Sequence, residues 1–184
     1  MKNTFTTKLL ALFLLIGFQS YAQDTDTMSG DQFSIDNRQN EIRLDVFDAA
    51  FFSAIDIGYE RVNDNSIGYG ASLFVNLRDP GDDAAYYEKI AFTPFFRFYF
   101  FNYEDYGAKG LFAEVFSKFA SGDNPDNLDE EYFDAALGLA IGKKWVNRRG
   151  FMLEVSFGGG RNIGLDDISP DFTFRGGISL GYRF

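Results

Sequence analysis

The sequence predicts an all-β chain folded as an eight-stranded antiparallel up-and-down transmembrane β-barrel. Three observations carry that expectation. From residue 41 onward the chain alternates apolar and polar residues with a period of two, the mark of strands with two unlike faces. Aromatic residues make up 18% of the chain, with 23 Phe, and aromatics favour strands. The third observation is the placement of small residues. Beside their charges, the polar faces hold Gly68, Gly70 and Ser72; Gly138, Ala140 and Gly142; Ser156 and Gly158; and Gly177, Ser179 and Gly181. A face turned to water has no reason to be that small, whereas the inside of an eight-stranded barrel is expected to leave room for little else.

Residues 1–22 read as a signal peptide. Lys2 and Lys8 give a basic start, "LLALFLLIGF" (9–18) is an apolar run too short to span a bilayer as a helix, and "SYA" offers small residues for cleavage after Ala22. Removing those two lysines takes the formal charge from -10 to -12 (-10 - 2), which makes nucleic acid an unsuitable partner. Residues 23–40, "QDTDTMSGDQFSIDNRQN", are polar and without period, and are expected to form a flexible periplasmic leader to a barrel of residues 41–184. Beyond the first 22 residues no apolar stretch reaches eighteen, so no transmembrane helix is expected.

The strands follow in order through their apolar faces. These are Ile42, Leu44, Val46; Ile55, Ile57, Tyr59; Ile67, Tyr69, Ala71, Leu73, Val75, Leu77; and Ile90, Phe92, Pro94, Phe96, Phe98, Phe100. They continue with Leu111, Ala113, Val115, Phe119; Ala135, Leu137, Leu139, Ile141, Trp145; Phe151, Leu153, Val155, Phe157; and Phe172, Phe174, Ile178, Leu180, Tyr182, Phe184. No segment asks for a helix. Connectors 63–66, 102–110 and 146–150 are tight or moderate, whereas 78–88, 120–132 and 160–171 are longer and acidic. The connector "DAAFFSA" (48–54) is short and apolar instead.

Two closed barrels satisfy this alternation. A secreted, lipocalin-like ligand carrier turns its apolar face inward, and an outer-membrane barrel turns it to lipid. The small polar faces, and the bulk of Phe92, Phe96, Phe98 and Phe100 on one strand, favour the second. Residues 67–77, 90–100 and 172–184 supply the roughly 9–11 residues that a tilted strand needs to cross a bilayer. Tyr59, Trp145, Phe151, Tyr182 and Phe184 would form an aromatic belt at the end with the tight turns. Outer-membrane lipids are the expected surroundings.

The closing "GYRF" resembles the terminal signal that outer-membrane barrels present to their assembly machinery, an expected partner of the last strand. More widely, "NEIRLDVF", "IGYERVNDNSIGYGASL", "FTPFFRFYF", "GLFAEV" and "GISLGYRF" resemble a family of small OmpA/OmpX-like barrels from Bacteroidetes, grouped as a domain of unknown function. The resemblance implies the cell outer membrane as location. It implies no activity.

Chemistry is bounded by what the chain lacks. With no Cys and no His, thiolate metal sites, disulfides and imidazole catalysis are excluded by residue type. "KGLFAEVFSKF" (109–119) and "RGFMLEVSFGG" (149–159) echo each other and place Glu114 and Glu154 mid-strand on the inward face, through hairpin duplication or through one packing need met twice. As a pair they would resemble the two carboxylates of glycoside hydrolysis. The plainer reading is a buried charge network of Asp56, Glu60, Arg97, Glu114, Lys118, Lys144, Glu154 and Arg175, which share the inward parity of their strands. Folding back about residues 105–106 sets Arg97 opposite Glu114, and folding across "VNRRG" brings Lys144 to Glu154, two pairs that would close the lumen.

The acidic connectors carry Asp79, Asp82, Asp83 and Glu88; Asp123, Asp126, Asp129, Glu130 and Glu131; and Asp166, Asp167 and Asp171. Oxygen ligands suit a hard cation. None has the ordered spacing of an EF-hand, so a solvated rim is expected. No catalytic, cofactor-binding or metal residue is assigned and no enzyme is expected. The leading role is structural or surface interaction, with a narrow solute channel, a barrel enzyme and a soluble ligand carrier as alternatives.

Overall fold

The structure, a computed structural model, describes residues 38–63, 66–77, 88–100, 109–124, 127–164 and 170–184. The expected signal peptide, the leader up to residue 37 and much of the acidic connectors lie outside the described residues.

Eight strands follow one another in a closed antiparallel barrel in which each pairs with its neighbours in sequence and the last pairs with the first. They are β1 (Asn40–Asp45), β2 (Ala54–Asn63), β3 (Ile67–Asn76), β4 (Glu88–Phe100), β5 (Gly110–Asn124), β6 (Asn127–Val146), β7 (Phe151–Asn162) and β8 (Phe172–Arg183). The turn between β6 and β7 is fixed by Asn147, whose Oδ1 accepts from the backbone N–H groups of Arg149 and Phe151 at 3.0 Å each, and Gly150 takes the positive φ of 96° that a side chain resists.

Register sets the slope of the wall. From Glu41 the register partners run through Glu60, Gly70, Phe95, Phe116, Gly138 and Gly160 to Thr173 on β8, yet Glu41 itself pairs with Arg183. One circuit therefore climbs ten residues (183 - 173). Ten residues of about 3.3 Å against eight spacings of about 4.8 Å tilt the strands by about 40°, an axial rise of roughly 2.5 Å per residue.

Every strand buries one face and exposes the other, and the exposed face is the apolar one. Leu73, Phe96, Val115, Leu139, Phe157 and Leu180 all point outward, and so do the five aromatics expected as a belt. Register joins three of those five: Tyr59 pairs with Ile42, Ile42 with Tyr182, and Tyr182 with Phe151, whose rings meet edge-on at 5.4 Å.

Four features differ from expectation. The interior is not restricted to small residues. Phe95, Tyr99, Phe112 and Phe116 are buried inside. The glycines are small because those rings lie on them: a Cβ on Gly138 would sit 2.3 Å from Phe116 Cζ, one on Gly142 2.4 Å from Phe112 Cζ, and one on Gly70 2.9 Å from Phe95 Cζ. Secondly, residues 120–132 are largely ladder, not a loop: β5 runs to Asn124 and β6 starts at Asn127, with Ser121–Phe133 and Gly122–Tyr132 as partners. Thirdly, a short helical segment does form. Asp45 Oδ1 accepts from the N–H groups of Phe47 and Asp48 at 2.8 and 3.1 Å and starts a π-helical turn, Asp48–Phe52, that ends on Ser53 in the left-handed region at φ 54°. Lastly, order begins before residue 41. Asn40 exchanges backbone hydrogen bonds with Phe184, and Gln39 O accepts from Val62 N.

Candidate functional site

The lumen holds the largest concentration of chemistry in the described residues. Alternation turns Glu41 and Arg43 of β1 inward, with Glu60 of β2, Arg97 and Tyr99 of β4, Glu114 of β5, Lys144 of β6, Glu154 of β7, and Arg175 and Arg183 of β8. β3 adds Ser72, whose Oγ lies 3.1 Å from Arg175 Nη1. All eight strands thus enter one network.

Arg97 is its hub. Its Nη1 and Nη2 donate to the two oxygens of Glu154 at 2.6 and 2.8 Å, its Nε donates to Glu114 Oε2 at 2.6 Å, and its Nη1 reaches Glu60 Oε2 at 2.9 Å. Glu114 Oε1 accepts from Arg175 Nε at 2.5 Å. Glu60 also accepts from Lys144 at 2.9 Å, from Arg43 at 3.3 Å and from the Tyr99 hydroxyl at 2.6 Å. Glu41 joins Lys144 at 2.5 Å to Arg183 Nε at 2.6 Å. Arg97 is 1% exposed and Glu60 not at all, so bulk water does not replace a lost partner of either.

Aromatic rings form the walls around these charges. The Arg97 guanidinium carbon lies 4.2 Å from the Phe112 ring centre and 4.7 Å from that of Phe95, and Lys144 Nζ lies 4.9 Å from that of Tyr99. The negative ring faces attract the cations where little water reaches. This pairing of ring and cation explains why bulky inward Phe coexists with a charged lumen.

The expected pairs form, one of them with changed partners. Arg97 stands opposite Glu114, and their side chains meet. Lys144 stands opposite Glu154 in register, but its ammonium lies 3.9 Å from that carboxylate and closer to Glu41 and Glu60. Glu114 and Glu154, on non-adjacent strands, are brought together by Arg97. Two expected members stand apart. Lys118 binds Glu88 and Thr173 nearer the other end, and Asp56 is half-buried beside a cavity of about 30 Å³ that Arg43, Arg175, Ser156 and Ser179 also line. That volume holds one or two waters. Glu41, Arg43, Tyr99 and Arg183 were the members that sequence reasoning missed, although their inward parity was there to be read.

The acidic rim is described only in part. Lys89 Nζ binds Asp123 at 2.7 Å and Glu131 at 2.8 Å, Glu88 is taken by Lys118, and Glu130 accepts from Asn124. Asp79, Asp82, Asp83, Asp126, Asp166 and Asp167 lie outside the described residues. Among the described residues, no three acidic side chains converge as a metal would require.

The fold and site define a small closed β-barrel whose polar interior is packed and whose apolar face is outermost. Comparison with known proteins yields no matching family model, curated relative or solved structure.

Proposed function

We propose that the chain is an integral outer-membrane β-barrel with a sealed polar lumen, of the kind its sequence resembles, serving a structural or surface-interaction role. One observation carries this reading. Between Arg61 and Lys143 at the tight-turn end and Lys89, Glu131 and Arg161 at the other, no outward side chain of the described residues is charged. Leu139, Ile141 and Phe157 in that band are 66, 66 and 67% exposed. On β6 the band runs from Glu131 to Lys143, twelve residues (143 - 131). At roughly 2.5 Å each that is about 30 Å, sufficient for the apolar band of roughly 25 Å of a transmembrane barrel.

A soluble carrier would need the reverse arrangement, an apolar lumen and a wet exterior. A channel would need a path through the lumen, where the Arg97 network joins side chains from every wall.

The test is Leu139→Arg, followed by membrane fractionation and heat-shift electrophoresis. Leu139→Arg is expected to destabilise an inserted barrel by roughly 2–4 kcal/mol. On a water-facing strand the same change would stay within about 0.5 kcal/mol. Wild-type chain in the soluble fraction, or a neutral Leu139→Arg, would overturn the proposal.

A further inference from the structure

Among the described residues the buried cations are each matched to carboxylates, but five cations at the tight-turn end are not, Arg61, which reaches Gln39 Oε1, and four around the β6–β7 turn. Arg38, Lys143, Arg148 and Arg149 have no carboxylate partner among the described residues. Three of them belong to one corner, and Lys143 precedes it on β6. Arg38 Nη1 donates to Arg149 O at 3.1 Å and to the Tyr182 hydroxyl at 3.0 Å, which anchors one guanidinium beside the turn that carries the next two. That turn is itself fixed by Asn147, so Arg148 and Arg149 project from a set backbone.

Like charges gathered this way repel unless an anion sits among them. What borders them on the barrel wall identifies the anion. Lys143 Nζ lies 5.0 Å from the Trp145 ring centre, the Arg38 guanidinium 5.8 Å from that of Tyr182, and Tyr182 packs on Phe151, which is 62% exposed. From the turn inward the order is Arg148 and Arg149, then Trp145 and Phe151 with Tyr182 beside them, then Lys143 at the edge of the uncharged band, its long stem able to snorkel back past Trp145 towards a head group.

Resting on the membrane reading above, we infer that this patch binds the phosphate of an anionic glycerophospholipid in the leaflet at the tight-turn end. The cations hold the head group, and Trp145 and Phe151 hold the start of the chains. A free phosphate ion would use the cations alone and would gain nothing from the rings.

The experiment reconstitutes the full mature chain in vesicles of phosphatidylcholine containing a minority of phosphatidylglycerol, extracts it gently, and measures both lipids that remain bound. Wild type is expected to be enriched in phosphatidylglycerol, less so at high salt. The variant Lys143→Gln/Arg148→Gln/Arg149→Gln should lose that enrichment by roughly fivefold per charge removed. Heat-shift electrophoresis verifies its fold, and Lys143→Arg/Arg148→Lys/Arg149→Lys should keep the enrichment. Lys89→Gln, at the opposite rim, should change nothing. Equal lipid ratios in wild type and bulk, enrichment surviving the triple Gln variant, or competition by inorganic phosphate as strong as by phosphatidylglycerol would overturn the inference while leaving the membrane reading intact. Failure to enter either pure phosphatidylcholine or mixed vesicles would overturn both.

Discussion

Removing Arg97 should do its damage at one carboxylate out of three, and the structure says which. In Arg97→Met, Glu114 keeps Arg175 at 2.5 Å, and Glu60 keeps Lys144 at 2.9 Å, Arg43 at 3.3 Å and the Tyr99 hydroxyl at 2.6 Å. Glu154 is left with Arg43 at 3.8 Å and Lys144 at 3.9 Å, ion pairs beyond hydrogen-bond distance, and with the cavity of about 30 Å³ that it lines. A buried charge with no compensation at all costs about 3–5 kcal/mol, and the two remaining long ion pairs should hold the loss towards the lower end of that range. Adding Glu154→Gln removes that charge and should recover much of the loss, a coupling of roughly 1–3 kcal/mol. Adding Glu114→Gln instead leaves Glu154 stranded and takes the carboxylate from Arg175 as well, so the second double variant should be no more stable than Arg97→Met alone. Urea unfolding of the reconstituted barrel, fitted with a common slope, measures wild type, the three single variants and the two double variants. Equal rescue by the two glutamine changes, or strict additivity of both, would refute the hub assignment.

Other perturbations test the same interior from different sides. Gly68→Ala places a Cβ 2.0 Å from Glu60 Oε1 and 3.2 Å from Tyr99 Cε2, so the carboxylate must move. A loss of roughly 1–3 kcal/mol is expected in the urea midpoint, whereas Gly159→Ala, on the outer face with only Thr173 O at 3.2 Å, should cost far less. Tyr99→Phe removes the hydroxyl that donates to Glu60 Oε1 at 2.6 Å and should cost about 1–3 kcal/mol in the same assay. In planar bilayers the wild-type barrel should show no steady conductance; a stable ohmic step would mean that the lumen is an open solute channel.

How much of this was legible in the sequence depended on the range of the interaction. Period two is local, and it assigned the faces correctly from Ile42 to Tyr182 because one buried face tolerates no slip. The Arg97–Glu114 pair was also local, since a single turn fixes the register of a hairpin. Lys144 was placed opposite Glu154 by the same logic, but its long side chain reaches across the lumen to Glu41 and Glu60, on strands it does not pair with. Those partners follow from closure and from the ten-residue climb of the wall, which no local pattern reveals. Residues 120–132 were misread through composition: acidic residues suggested a loop, yet Tyr132 and Asp134 turn inward while Phe133 turns out, and Lys89 ties Asp123 to Glu131 across the ladder. The π-helical turn was too short for any periodicity, although Asp45 ahead of two N–H groups in need of acceptors was a visible cue.

A barrel of eight strands has a fixed bore, so an inward Phe on β4 or β5 must be offset by an absent side chain on its neighbour, as Gly70 is for Phe95 and Gly138 for Phe116. The rings displace water, which raises the cost of any charge that loses its partner and binds Arg97, Glu60 and Glu154 into one unit. An interior built this way does not rearrange one residue at a time. The exposed charges of the described residues lie instead towards the two ends: the basic and aromatic collar around Arg149 and Trp145, and the opposite rim, where Lys89 is paired with Asp123 and Glu131.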